Sequence, residues 1–421
     1  MNLDDFDSKR GRAVLIGAVL LIWAAIIWSF NSNGYIHTWK LWHIRTMNPP
    51  FLDFRLIPAS AETFRSGGDP VVSNPYDPTG RRFNYPRIWY WLFPLEISQD
   101  DTVWISIVMI VLFFLVLFAF PEKIRVRDSL ILLIFIFSPA CMLLFERGNV
   151  DLIFFVLSGL TILTIGSWPI VAAAILLIAA FFKLFPFFGI AIFIQENKKR
   201  FYALAGTVTT IFLSYLLFNI ESLKAAWQLT ERGIYTSYGA SIVFEILGTY
   251  FRQDLLKALP EEQIQNIMIF MPYVMVAILL MGIFLIAMRQ KMVFPVTSGR
   301  NLSAFRLGAA IYVGTFLLGN NWDYRLAFLL FAIPQLSQWF FTSSGKYRWL
   351  FLGMLMVMAA SCWDTVIFDY GLKIFGSRYR LHLSVFDELM NWSMFSGLAY
   401  LLIASSPAWL RTFSLNPFSS E

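Results

Sequence analysis

Three short segments place ionisable side chains beside long apolar stretches. They are "LLFERGNVDLIFF", "FLDFR" and "FFKLFPFF". The polar residues of each segment either only interrupt the helices or form part of a binding site. A carboxylate can act as a general base, and lysine or arginine can stabilise a phosphate. The residues of these segments that suit such chemistry are Asp53, Glu146, Arg147, Asn149, Asp151 and Lys183.

The composition predicts a membrane protein. Of 421 residues, 58% are hydrophobic and only 14% are charged, whereas soluble domains average about 25% charged residues. Several continuous apolar runs reach or approach the roughly 18 residues that indicate a bilayer span. A chain in lipid must pair its backbone N–H and C=O groups with each other, which only helices and closed barrels do. The continuous apolar runs favour helices. We therefore expect an all-α, polytopic, integral membrane protein.

The remaining composition excludes several classes. In a membrane protein the net charge of +6 reflects the sidedness of its loops and does not indicate a nucleic-acid partner. Cys141 and Cys362 both lie in apolar segments, so a disulfide framework is not expected. The three histidines are scattered, and no spacing indicates a zinc site. No cofactor is implied, and dependence on a divalent metal stays open.

Basic clusters near helix ends tend to remain cytoplasmic, and this rule predicts the topology. With both termini cytoplasmic, it requires an even number of crossings between clusters. The stretch at residues 170–194 decides the count, because Lys183 and Pro186 interrupt it and favour two short arms. The result is about 12 membrane segments. The clusters are "SKRGR", "EKIRVRD", "ENKKR", the Arg289 to Arg306 loop and "GKYR".

The predicted outer side carries most of the polar residues. Its first loop, residues 31–101, contains "PASAETFRSGG", which predicts a short interfacial helix that stops at Gly67, with Asp53 just ahead of it. For Asp53 alone, helix capping is the alternative to a chemical role. "GGDPVVSNPYDPTG" is rich in turn residues and predicts an ordered loop. The aromatic "YPRIWYWLFP" fits a return to the membrane interface.

These motifs resemble a known family. An aspartate ahead of a short helix, followed by "SGGDP", "NPYDP" and "FNYP", resembles the first outer loop of glycosyltransferases with the GT-C fold. The likeness is greatest to glycosyltransferase family 87, which uses polyprenyl-phosphate-mannose donors. "ERGNVDLIFF" and "AFFKLFPFF" are similar to that family's paired Gly-Asn and Lys-x-x-Pro elements. The sequence departs from the pattern at Arg87 in "NYPR" and in "NNWDYR", which lacks a histidine.

The resemblance implies an inverting sugar transfer with Asp53 as the general base. Lys183 is expected to meet the donor phosphate, with snorkelling from a helix end as its alternative. Arg147 would add a second contact unless it pairs with Glu146 or Asp151. Asn149 or Asp151 is expected to cap the helix that follows the turn, whose N-terminus would present free backbone N–H groups to the phosphate. The residues expected at the donor phosphate are Lys183, Arg147, Asn149, Asp151, Arg378 and Arg380. Those expected at the sugar or acceptor are Arg55, Tyr76, Asp77, Tyr85, Trp322, Asp323 and Tyr324.

The sequence thus favours one GT-C-like transmembrane domain over residues 1–421. It divides into a catalytic outer loop (31–101), donor-site helices with a broken hairpin (129–194) and C-terminal membrane helices (195–421). The expected partners are a polyprenyl-phosphate-linked sugar, a glycolipid or glycan acceptor and membrane lipids. The expected location is a bacterial plasma membrane, with the active site facing the periplasm or exterior. Competing functions are a lipid-linked oligosaccharide polymerase or ligase, a flippase or transporter, and a structural membrane subunit.

Overall fold

A computed structural model describes residues 3–195, 197–289 and 299–411, and helices account for most of them. The first helices are α1 (Leu3–Asn33), α2 (Tyr35–Lys40), α3 (Leu52–Arg65), α4 (Thr102–Ala119), α5 (Val126–Ile136), α6 (Pro139–Arg147), α7 (Asp151–Thr164), α8 (Pro169–Phe182) and α9 (Lys198–Phe218). They continue as α10 (Ile220–Leu229), α11 (Ile242–Ala258), α12 (Glu261–Arg289), α13 (Arg300–Leu317), α14 (Ile333–Thr342), α15 (Gly345–Cys362), α16 (Asp364–Phe375), α17 (Arg380–Ala404) and α18 (Ala408–Arg411).

Shorter elements connect these helices. The 3₁₀ segments are Arg87–Leu95, Gln99–Asp101, Phe185–Gln195, Asp323–Phe331 and Ser377–Tyr379. Two short strands, β1 (Ser237–Tyr238) and β2 (Asn321–Trp322), pair antiparallel, with Ser237 opposite Trp322. The basic loop from Arg289 to Arg306, used to predict the topology, has residues 290–298 outside the described residues.

The apolar helices make this an all-α membrane protein. Four described helices are long and apolar enough to cross a bilayer: Phe6–Asn33, Gln99–Ala119, Lys198–Phe218 and Glu261–Arg289. Two bent pairs bring the count to six if each forms one span, α5 with α6 at 59° and α15 with α16 at 74°. The expectation of about 12 segments is not confirmed, because several predicted spans are interrupted or too short.

The exposed face of α4 fits a lipid environment. Trp104, Ile107, Val111 and Leu115 follow helical spacing, and each is at least half exposed. Their opposite side, including Phe113 and Leu117, is fully buried. A stripe this apolar on a helix surface is stable in lipid and unfavourable in water.

Local sequence explains where two of the helices break. At the α5–α6 bend, the Ser138 hydroxyl accepts a hydrogen bond from the Cys141 N–H, and Pro139 takes the first helical position. Both features favour the start of a new helix. In residues 170–194 the helix ends at Phe182, and Lys183 adopts an extended conformation before the 3₁₀ segment begins. The predicted split of this stretch is therefore present, with Lys183 between its arms.

The core surrounds α13. This helix packs against the 3₁₀ segments Phe185–Gln195 and Asp323–Phe331 and against α7, α14 and α17. Nearly every side chain from Asn301 to Phe316 is buried. The two 3₁₀ segments are thereby held in place. Lys183 lies two residues before the first and Arg325 lies within the second, and both belong to the polar cluster described below.

Candidate functional site

Asp53 is presented by the first turn of α3. The sequence predicts that Asp53 lies just ahead of this helix. The helix instead begins at Leu52, so Asp53 is its second residue. Phe51, ahead of the helix, adopts a left-handed conformation. A carboxylate in the first turn is favoured by the partial positive charge of a helix N-terminus. The Asp53 side chain remains 20% exposed, so it is accessible to a ligand.

The "ERGNVD" turn packs directly against the start of α3. Its Gly148 ends α6 in a left-handed conformation with φ +56°. A Cβ at this position would lie 2.8 Å from the Ser106 Oγ and 2.9 Å from the Phe51 Cβ. Glycine is therefore required both by the backbone conformation and by the space, and its close packing sets the distance from the turn to Asp53.

Asn149 joins α3 to α7. Its Nδ2 donates to the Asp53 Oδ2 at 2.8 Å, and its Oδ1 accepts from the Asp151 backbone N–H at 3.0 Å. Asn149 is only 2% exposed. A buried amide with both ends occupied is held in one orientation, so it fixes Asp53 relative to the first turn of α7.

Asp151 holds two cations from distant parts of the chain. Its Oδ1 lies 2.5 Å from the Lys183 Nζ, and its Oδ2 accepts from the Arg325 Nε at 3.2 Å. The Asp151 side chain is fully buried, whereas those of Lys183 and Arg325 are 12% and 15% exposed. A buried carboxylate needs such partners to offset its loss of hydration.

Arg81 ties the ordered loop to Asp53. Its Nη1 lies 3.3 Å from the Asp53 Oδ1, and its Nη2 donates to the Leu52 carbonyl at 2.6 Å and to the Asp77 Oδ2 at 3.0 Å. Burial acts to raise the pKa of Asp77, but hydrogen bonds and the charge of Arg81 outweigh it and lower this pKa below its ordinary value. The predicted ordered loop is therefore held by an ion pair.

Tyr85 lies among these charges. The centre of its ring is 5.2 Å from the Lys183 Nζ, a cation–π distance. Burial raises the pKa of Tyr85, and the carboxylates of Asp53 and Asp151 raise it further, against the lowering effect of Arg81 and Arg325. Its phenol therefore stays protonated and can act as a hydrogen-bond donor. The residues joined in this way form the Asp53 cluster: Asp53, Asp77, Arg81, Tyr85, Asn149, Asp151, Lys183 and Arg325.

One predicted feature of α7 is absent. The sequence predicted free backbone N–H groups at its start, aimed at a phosphate. The N–H of Asp151 instead bonds to Asn149 Oδ1, and those of Leu152 and Ile153 bond to the Asn149 and Val150 carbonyls. The Asp151 carboxylate occupies the same helix end. The positive groups of this site are therefore side chains.

Arg147 pairs with Glu146, which was the alternative to a phosphate contact. Its Nη1 lies 3.1 Å from the Glu146 Oε2, and its Nη2 donates to the Arg45 carbonyl at 3.0 Å. Glu146 in turn accepts from the Met47 N–H at 2.9 Å. This pair anchors the segment between α2 and α3 and does not join the Asp53 cluster.

Two first-loop residues predicted at the site are engaged elsewhere. Arg55 donates to the Pro50 carbonyl and to the Gln99 Oε1, because it projects from the side of α3 that faces the 3₁₀ segment Gln99–Asp101. Tyr76 is 46% exposed, and its hydroxyl accepts from the Ser66 Oγ.

The C-terminal candidates are distributed differently. Arg378, in the 3₁₀ segment Ser377–Tyr379, and Arg380, the first residue of α17, are both exposed; Arg378 lies over Tyr379 and Arg380 faces Phe368. Trp322 belongs to β2 and packs over Gly233. Asp323 is buried and lines a separate small cavity. Tyr324 is buried directly before Arg325.

Sequence reasoning missed Arg81 and Arg325. Arg81 lies between the quoted motifs "NPYDP" and "FNYP", and Arg325 is the last residue of "NNWDYR". Arg81 had a detectable signal, since it lies four residues after Asp77. Arg325 had none in its local pattern, because its partner Asp151 is far away in the chain.

The described residues contain no group of three or more His, Cys, Asp or Glu side chains arranged to hold a metal ion. No family model, curated protein or solved structure matches this chain. The Asp53 cluster therefore supplies the argument about function.

Proposed function

We propose that the chain is an inverting membrane glycosyltransferase that uses a polyprenyl-phosphate-linked sugar as its donor. The acceptor is a glycolipid or another cell-envelope glycan, and mannose or another hexose is the sugar transferred. Catalysis takes place on the non-cytoplasmic face, within a GT-C-like arrangement of helices. The observation that carries this proposal is that Asp53, Asn149, Asp151 and Lys183 meet through direct contacts.

Asp53 suits the role of general base. Each of its carboxylate oxygens accepts one contact, from Arg81 or from Asn149, which leaves a lone pair on each oxygen. In the proposed step an acceptor hydroxyl oxygen attacks the anomeric carbon while Asp53 takes the hydroxyl proton. The bond from the anomeric carbon to the phosphate oxygen breaks, and its electrons leave with the polyprenyl phosphate.

Lys183 and Arg325 suit the leaving phosphate. Asp151 fixes both cations but occupies only some of their N–H donors, since Lys183 has three and Arg325 has five. Both side chains keep some exposure. Such prepositioned donors stabilise charge that develops in a transition state. The neutral Tyr85 hydroxyl adds another donor beside them.

The decisive experiment compares purified wild-type protein with the Asp53→Asn variant on a panel of polyprenyl-phosphate sugars, with products detected by mass spectrometry. Wild type is expected to transfer sugar. Because the amide of the variant cannot take the hydroxyl proton as a carboxylate does, transfer is expected to fall by about 10²- to 10⁴-fold.

Asp100→Asn is the matched control. Asp100 lies in the same loop and is exposed, so its variant is expected to retain wild-type transfer. Full activity of Asp53→Asn would remove Asp53 as the base. Absence of transfer by wild type with every donor in the panel would contradict the proposed function.

A further inference from the structure

A cavity lined by both polar and apolar side chains lies apart from the Asp53 cluster. It has a volume of about 130 Å³ and is bounded by the segment around His43, the turn before β1, and helices α16 and α17. A smaller cavity of about 30 Å³ adjoins it and shares Arg45, Thr236 and Asp364. Arg147 and Asp323 line the smaller one.

Buried polar atoms in these walls lack partners. Ser384 is 6% exposed and Asp323 is 4% exposed, yet the Ser384 Oγ and Asp323 Oδ2 have no hydrogen-bond partner among the described residues. The same holds for the Asp364 Oδ1 and the Thr365 Oγ1. Buried polar atoms are normally paired, so their concentration along these two adjoining cavities indicates a place where a polar ligand completes the bonding.

The charges in the walls are mixed. Asp364 and Asp387 contribute carboxylates, while Arg45 and Arg380 contribute guanidinium groups. Asp369 is already bonded to His43, with 2.6 Å between Oδ2 and Nδ1. An anion would meet the carboxylates and a cation would meet the arginines, whereas a neutral polyol can donate to the former and accept from the latter.

Aromatic side chains provide the other requirement for binding a sugar. Tyr235, Phe368 and Phe386 line the same cavity. Their apolar faces can cover the C–H side of a sugar ring while its hydroxyl groups meet the polar wall.

The smaller cavity and the Asp53 cluster share the "ERGNVD" turn. Arg147 faces the small cavity and holds the Arg45 carbonyl, and Asn149, two residues later, donates to Asp53. A ligand that extends from the larger cavity into the smaller one would therefore lie against the same turn that fixes the base.

We propose that this cavity binds an uncharged sugar unit of the acceptor, through hydrogen bonds to Asp364, Asp387 and Ser384. The assignment to an acceptor rests on the proposed transfer function. Binding of neutral sugar at this place does not, so the two can be tested separately.

The binding test uses the full-length protein in nanodiscs, with methyl α-mannoside and methyl β-glucoside as probes and saturation-transfer NMR as the readout. Wild type is expected to bind at least one probe. Ser384→Leu, which fills the cavity, and Asp387→Asn are expected to weaken binding about tenfold or more. Asp254→Asn, which changes an exposed carboxylate paired with Lys257, is expected to bind as wild type does.

A kinetic arm connects the cavity to transfer. Ser384→Leu is expected to raise the KM for acceptor about tenfold and leave the KM for donor unchanged. Asp53→Asn is expected to bind the methyl glycosides as wild type does. If wild type binds them but transfers no sugar, the proposed function fails while the neutral-sugar site stands.

Three results would overturn the sugar site. Wild type showing no binding of either probe is one, and unchanged acceptor KM in a folded, active Ser384→Leu variant is another. The third is stabilisation of wild type against heat by NaCl or CaCl₂ that Asp364→Asn abolishes, because this would make the cavity a cation site.

Discussion

Asp151 connects the two cations that the proposed transfer requires. It is fully buried and contacts Lys183 and Arg325 through separate oxygens. Asn149 connects its backbone to the Asp53 carboxylate. The cluster thus contains three carboxylates, at Asp53, Asp77 and Asp151, and three cations, at Arg81, Lys183 and Arg325. Balanced charge lets the site remain partly buried until an anionic donor enters.

Lys183→Ala is expected to affect the donor more than the acceptor. It removes an ammonium group beside the proposed phosphate position while Arg325 still pairs with Asp151. The apparent KM for the lipid donor should rise about tenfold or more, with a smaller change for acceptor. Initial-rate kinetics with each substrate varied in turn provide the measurement. Lys257→Ala, an exposed lysine on α11, is the control, and equal effects on both substrates would argue against a phosphate contact.

Asp151→Asn is expected to destabilise the protein. The side chain keeps its shape, but two partly buried cations lose their counter-charge, which costs about 3–5 kcal/mol when a buried pair is broken. Thermal unfolding of the purified protein should show a clearly lower Tm. The exposed pair of Asp254 and Lys257 offers the comparison, since Asp254→Asn should change the Tm little. Similar Tm values for the two variants would show that Asp151 does not hold the site together.

At the scale of elements, the site is assembled where regular helices stop. The "ERGNVD" turn separates α6 from α7, and Lys183 separates α8 from the following 3₁₀ segment. A polar side chain within a membrane helix is unfavourable unless it faces the protein interior. Interrupting the helix at these positions brings Asn149, Asp151 and Lys183 to one point.

Gly148→Ala tests the element that aligns these residues. Alanine is strained at a φ of +56°, and its Cβ would collide with Phe51. The expected cost is about 1–3 kcal/mol, together with reduced transfer as Asn149 moves away from Asp53. Thermal unfolding and transfer rate provide the measurements.

Gly166→Ala serves as the control for this variant. A Cβ at Gly166 meets nothing within 4 Å, so the control should behave as wild type does. Equal stability and activity of the two variants would contradict the alignment role of Gly148.

At the scale of the whole molecule, the proposed topology puts the loop at residues 31–101 and the "ENKKR" segment on opposite faces of the membrane. Val72 is 71% exposed, and Lys199 is exposed as well. The native cysteines, Cys141 and Cys362, are buried, so an introduced cysteine should label selectively.

A membrane-impermeant maleimide is expected to label the Val72→Cys variant in intact cells and the Lys199→Cys variant only in inverted vesicles. Native protein without an added cysteine gives the background. Labelling of both variants from one side would overturn the proposed topology, and with it the outer-face location of Asp53.

The hydrophobic pattern and the residue types of the chain predicted its class, one helix break and four residues of the site. Continuous apolar runs predicted a helical membrane protein, because lipid offers the backbone no hydrogen-bond partners. Lys183 and Pro186 predicted the break in residues 170–194, because a charge is unfavourable in lipid and proline interrupts helical hydrogen bonding. Asp53, Asn149, Asp151 and Lys183 were identified as chemically distinct from their neighbours.

Which of the polar residues meet depends on how the whole chain packs. Arg325 and Asp151 pair across a long stretch of chain, and no local periodicity encodes such a contact. Arg147, two residues before Asn149, instead pairs with Glu146, because Gly148 turns the backbone between Arg147 and Asn149. The number of spans also depended on tertiary structure, since hydropathy measures how apolar a run is and not whether its helix continues. The chemistry of each side chain follows from its residue type, which the sequence gives. The distances between the side chains of a site depend on how the whole chain packs.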